Sequence, residues 1–228
     1  MTSSRNPWNS LPPAERPGMA PAGEDHTPRL ETWLAALMAD TSRHARFLNT
    51  LALLEHLGSR KIMLSQSGPA MPLAALQHLA EETGHAFFFR RAAEALLAAQ
   101  PAPSKPAKPL DWSPRHTMAP QAGAMYLARL EALVVRLVGL TPPALPYLYT
   151  SALVEVRALW FFHLYQRVLK QQGAALNLKK IIGEEDGHLM DMTFALHQLD
   201  RDFSQRFETL KAGEARAFAK LLPKVMAG

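Results

Sequence analysis

Two segments of this chain repeat one pattern: Glu81-Glu82-Thr83-Gly84-His85 and Glu184-Glu185-Asp186-Gly187-His188. In a helix, Glu82 and His85 lie three residues apart on one face, as do Glu185 and His188. Glycine costs about 1 kcal/mol against alanine inside a helix, so helix stability alone would select neither copy. A single Glu-x-x-His arises readily by chance, whereas two copies in the same five-residue frame point to a shared task. Gly84 and Gly187 are expected to thin the helix where another element approaches.

Each copy has a counterpart upstream. Glu55 interrupts an apolar stripe of Leu51, Leu54, Gly58 and Ile62; Glu155 interrupts one of Ala152, Ala158, Leu159 and Phe162. A buried, unpaired carboxylate is costly, so each needs a compensating charge or a raised pKa. In an antiparallel helix pair, residues equidistant from the turn stand side by side. Glu55 and Glu82 are equidistant from Gly68-Pro69, and Glu155 and Glu185 from a point close to Gly173. The spacing therefore predicts each lone glutamate level with the Glu-x-x-His of the next helix.

The rest of the chain suits such hairpins. Alternating β-branched runs bounded by hairpin turns are almost absent, which makes the chain all-α. A Pro-rich leader, 1–28, reads as disordered, and a single helical domain follows over 29–228. Its long helices are expected at about 42–65, 73–99, 145–172 and 175–200, the first capped by Thr41-Ser42. Shorter helices are expected at 29–40 and 121–140, with one or two peripheral helices after 200. The segment 100–120 is too rich in proline to be helical and must cross between the hairpins. Two hairpins joined by one long crossover describe a four-helix bundle.

The chain contains no cysteine. That removes disulfides, thiolate metal sites and cysteine nucleophiles, and leaves imidazole and carboxylate as metal ligands. The net charge of +5 is mild. Arg90–Arg91 and Lys179–Lys180 are short pairs that read as solvated helix faces, not a nucleic-acid stripe. No apolar run reaches a membrane-spanning length and the start lacks a secretory apolar core, so a cytoplasmic location is expected.

Glu55, Glu82, His85, Glu155, Glu185 and His188 would thus stand at one level of one bundle. Carboxylates are hard donors able to bridge two cations, four of them balance two divalent ions, and imidazole suits iron better than magnesium. His78, one turn before Glu82, and Asp191, one turn after His188, are candidates to support the imidazoles from outside. The remaining histidines, among them His44, His56, His163 and His197, are expected to be ordinary. Tyr147, Tyr149 and Tyr165 are expected to pack. The aromatic runs Ala86–Arg91 and Leu159–Tyr165 read as core that would also suit an apolar substrate pocket.

The six-residue set resembles the full ligand set of the ferritin-like di-iron carboxylate superfamily, over the four long helices. The resemblance implies a ferritin-like bundle holding two iron ions, with Fe/Mn and Mn/Mn left open, and O2 as co-substrate. It implies an oxygenase or oxidase acting on a small, apolar organic substrate, with essential residues that are the metal ligands themselves. Electrons would come from an external donor protein, since no flavin, haem or iron–sulfur signal is present. A homodimer is compatible with it. The competing expectations are a ferroxidase without organic substrate and a non-catalytic metal-binding bundle.

Overall fold

The computed structural model describes residues 20–65, 71–100, 109–140, 142 and 144–228. Most of the leader, the Gly68-Pro69 turn and 101–108 of the crossover lie outside the described residues. Among the described residues seven helices follow in order: α1 (Thr27–Met38), α2 (Thr41–Ser65), α3 (Leu73–Ala98), α4 (Pro120–Val138), α5 (Ala144–Gln171), α6 (Lys179–Leu199) and α7 (Phe203–Ala227). Among the described residues there is no strand, and no helix is long and apolar enough to cross a membrane.

The helices begin and end for local reasons. Proline opens α4 at its first position, where its missing N–H would have had no partner. The cap of α2 is Asp40, not Thr41 or Ser42: its Oδ1 accepts the Arg43 N–H at 3.0 Å. A carboxylate there also complements the positive end of the helix. Gly173 stops α5 with φ +65°, and the Ala174 N–H reaches back to the Leu169 carbonyl in a left-handed C-cap. Helix α6 starts four residues later than expected. Asn177 Oδ1 takes the Lys179 N–H, and the Gln166 side chain takes the Leu178 N–H, so the preceding segment is tied down in a non-helical form.

Helix α2 lies along α3, α5 along α6, and α4 along α7, while α1 leans on α2 and α5. The C-terminal segment is one helix of 25 residues, and it is not peripheral. Its Phe207, Leu210, Phe218 and Leu222 are buried in the core. Arg157 of α5 and Glu214 of α7 form a buried bidentate pair at 2.9 and 2.6 Å, and Tyr126 of α4 donates to the same carboxylate at 2.8 Å. Arg90, expected on a solvated face, is instead structural. It donates to Asn49 Oδ1 and to the Leu110 carbonyl, and lies over Trp112. Asn49 in turn donates to the carbonyls of Asp111 and His116, so the described end of the crossover is pinned to α2 and α3.

The apolar interior falls into two clusters. On α6, Ile181 belongs to one and Leu189 to the other, with buried Glu185 and His188 between them. On α6 the polar residues of the repeated motif therefore fall in a gap between two apolar cores.

Candidate metal centre

Helices α2, α3, α5 and α6 bring seven carboxylate and imidazole side chains together in that gap. Two sets can each hold a metal ion: Glu55, Glu82, His85 and Glu185, and His78, Glu82, Glu155 and His188. Within each set, one ligand atom per residue lies within 4.8 Å of the others. All six residues singled out by the repeat and its counterparts are present, Glu82 belongs to both sets, and His78 is added. The carboxyl of Glu55 stands against Glu82, and that of Glu155 against Glu185, the pairing that the hairpin spacing requires.

The electrostatics are those of crowded carboxylates out of water. Burial, and then the charges of Glu82 and Glu185, raise the pKa of Glu55 well above the usual carboxylate range. Burial, and then Glu185 and Glu82, do the same to Glu155. Burial also opposes the charge of Glu185, but the hydrogen bond from His188 and the close imidazole of His85 outweigh it and hold this carboxyl well below the usual range. His188 loses by burial and gains more from Glu185 and Glu81, which lift its pKa to about 9. The protein thus balances adjacent carboxylates with protons, the same balance that divalent cations would supply.

The imidazoles are oriented alike. His85 directs Nδ1 at Glu185 Oε1, 3.1 Å away, and Nε2 at Glu184 Oε2, also 3.1 Å. His188 directs Nδ1 at Glu185 Oε2, 3.0 Å, and Nε2 at Glu81 Oε2, 2.6 Å. His78 presents Nε2 at 3.4 Å to both Glu82 and Glu155, and Nδ1 at 3.1 Å to the Tyr147 hydroxyl. Each ring thus has one nitrogen toward the carboxylates and one on an outer oxygen. Two of the inward nitrogens, His78 Nε2 and His85 Nδ1, are buried with no hydrogen-bond partner among the described residues. Buried polar atoms are rarely left so, and two imidazole nitrogens aimed among carboxylates fit a cation as the missing partner.

Two of the three outer oxygens belong to glutamates to which the sequence reading gave no role. Glu81 and Glu184 are the first glutamates of the two repeats, and each takes the histidine of the opposite repeat. The doubling of glutamate in both copies was the available signal. Asp191, expected in this role, is exposed on α6, and the outer oxygen on His188 is that of Glu81. The expectation for the glycines also fails. Gly84 and Gly187 are exposed, nothing lies within 4 Å of where a Cβ would stand, and no steric reason for glycine is visible there. The close approach is at Gly58, where a Cβ would fall 2.8 Å from Glu82 Oε2. Tyr147 meets His78 rather than merely packing, whereas Tyr149 and Tyr165 are fully buried.

Beside the cluster lies a cavity of about 620 Å3. Glu55, His78, Glu82, Glu155 and Glu185 form part of its wall, and most of the remainder is apolar. Glu55, the least buried of the carboxylates, owes its exposure to this internal space. Comparison with known proteins finds no matching family model, no matching curated protein and no matching solved structure, which leaves the geometry of the cluster as the ground for its chemistry.

Proposed function

We propose that this chain is a ferritin-like di-metal oxidoreductase, with α2, α3, α5 and α6 as its ligand-bearing four-helix bundle, which uses O2 to oxidise an apolar organic substrate. The observation that carries the proposal is the convergence of four glutamates and three inward imidazole nitrogens, two of them unpartnered, on the wall of an apolar cavity. Glu55, Glu82, His85, Glu155, Glu185 and His188 are the ligands, with His78 as a seventh. Two iron ions are the preferred pair, although the donor set also accepts manganese. Such ions, when bound, supply the redox chemistry between O2 and substrate.

The chain's own residues do the rest. The carboxylates would neutralise the cations, and Glu82, common to both sets, would serve as a ligand in either. Glu184, Glu81 and Tyr147 accept the outward N–H of His85, His188 and His78, which fixes the tautomer that leaves a lone pair facing inward. Leu54, Val154, Phe161 and Phe162 on the cavity wall exclude water and hold the substrate by apolar contact. An apolar cavity beside the cluster favours an organic substrate over Fe(II) itself, and electrons come from an external donor protein.

Metal content tests the reading first. Protein loaded anaerobically with Fe(II) and desalted is expected to carry about two ions per chain by mass spectrometry, as the ligand count requires. The Glu82→Ala/Glu185→Ala variant is expected to lose them. Less than about half an ion in the parent protein would sink the di-metal site, and the oxidoreductase with it.

A further inference from the structure

The cavity has a shape and a polarity that go beyond the word apolar. Along α2 its wall is made by Phe47, Leu51, Leu54, Gly58, Lys61 and Ser65, a single helical stripe. From Phe47 to Ser65 that stripe is about 27 Å long at 1.5 Å per residue. Helix α5 lines the same space from Pro146 to Phe162. The two run in opposite senses, since Phe47 meets Phe161 and Tyr165 edge-on with ring centres 6.0 and 5.6 Å apart. The cavity is therefore elongated along both helices, with Glu55 and Glu155 near its middle.

Both helices change character at that middle. On one side α2 contributes Phe47, Leu51 and Leu54, α5 contributes Val154, Ala158 and Phe161, and Trp33 and Leu222 close the end. The charged Arg157 on this side is consumed by Glu214. On the other side α2 contributes Lys61 and Ser65 beside Ile62, and α5 contributes Tyr147, Thr150 and Ser151 beside Pro146, so hydroxyls and a cation are set here among apolar groups that include Val135 and Leu140. Lys61 pairs with Glu131 there, and Ser65 and Leu140 are exposed. An ammonium has three donors, of which Glu131 engages one, so a second anionic group can share it.

We propose that the cavity binds an unbranched fatty acid. Its carboxylate lies at Lys61, among the hydroxyls of Thr150, Ser151 and Ser65, and its tail ends between Trp33, Phe47 and Leu222. The span from Lys61 to Phe47 is about 21 Å of helix, the length of an extended chain of roughly 16 carbons. Glu55 lies six residues from Lys61, so methylenes near the middle of the chain, not the head or the terminal methyl, pass the carboxylate–imidazole cluster. The proposal takes the di-metal reading as its setting, but binding of the chain depends only on the cavity.

The test uses the full-length protein, stripped with chelator, and cis-parinaric acid as a fluorescent 18-carbon probe. Saturable binding of about one probe per chain is expected, with displacement by palmitate. Each pair of methylenes removed from the competitor should weaken displacement roughly tenfold until the chain no longer fills the cavity. Filling the tail half, by Ala158→Phe or independently by Val154→Phe, should weaken the probe by about tenfold or more while the helical circular dichroism is kept. Lys61→Ala should weaken palmitate but not methyl palmitate. Absence of saturable binding, an affinity indifferent to chain length, or binding untouched by a folded cavity-filling variant would overturn the proposal. Iron content of the same protein after anaerobic Fe(II) reloading and desalting separates the two readings. Metal without chain binding removes the fatty acid alone, and chain binding without metal removes the di-metal centre alone.

Discussion

At the scale of single residues, the outer partners of the histidines are the decisive detail. Glu81 takes His188 Nε2, and Glu184 takes His85 Nε2, so the two repeats support each other crosswise. Removing such a partner lowers the basicity and orientation of the ligand, with losses of about 10- to 100-fold in metal affinity. Glu81→Ala and Glu184→Ala are each expected to weaken Fe(II) binding by that order in a competition titration. An unchanged affinity in both would leave the crosswise pairs with no part in holding metal. His44 illustrates a different residue-level effect. It is buried against the Tyr165 hydroxyl, and burial lowers its pKa to about 4 from 6.5. The folded protein therefore keeps this imidazole neutral while the unfolded chain takes up a proton first. Its contribution to stability is complete above pH 6.5 and is lost as pH falls towards 4, with a slope of at most about 1.4 kcal/mol per pH unit. Urea unfolding at several pH values should show a shallower acid loss for His44→Gln than for the parent, and parallel curves would refute it.

At the scale of elements, three buried side chains from three helices form one polar unit. Arg157 on α5, Glu214 on α7 and Tyr126 on α4 are all buried, and Arg157 also lies over the Phe218 ring, 4.1 Å from its centre. Taking away only the carboxylate leaves a guanidinium without compensation in the core. Glu214→Ala is expected to destabilise the fold by about 3–5 kcal/mol, and Arg157→Met combined with Glu214→Leu to recover most of that. Denaturant unfolding of the three proteins checks it, and a single variant as stable as the parent would contradict it. The long helices were legible because their apolar periodicity is strong and prolines and glycines punctuate them. Their ends were less legible. The choice of Asp40 over Thr41 as cap of α2, and the anchoring of Asn177 and Leu178 before α6, depend on side chains meeting backbone groups whose positions periodicity does not define.

At the scale of the whole molecule, the carboxylate–imidazole cluster draws on four helices whose charges resist one another, so the proposed cation binding would be linked to stability. The crowding that lifts Glu55 and Glu155 out of the usual carboxylate range is relieved when cations replace protons. Fe(II) or Mn(II) at about a hundred times its dissociation constant adds roughly 2.7 kcal/mol per site, a rise of about 5–10 °C in Tm. Calorimetry should find that rise in the parent and not in Glu82→Ala/Glu185→Ala; the same Tm with and without metal would count against the centre. The sequence by itself determined that the chain is helical, and which carboxylates and histidines share a helix face, because both follow from local periodicity and from distance to the turns. Only the tertiary structure decided that His78 turns its free nitrogen into the cluster, that the first glutamate of each repeat serves the other repeat, and that Arg90 and Arg157 work inside the protein. The physical reason is the same in each case. These roles depend on where a side chain from one helix meets a side chain or carbonyl from another, and one-dimensional spacing carries no information about the rotation of one helix against its neighbour.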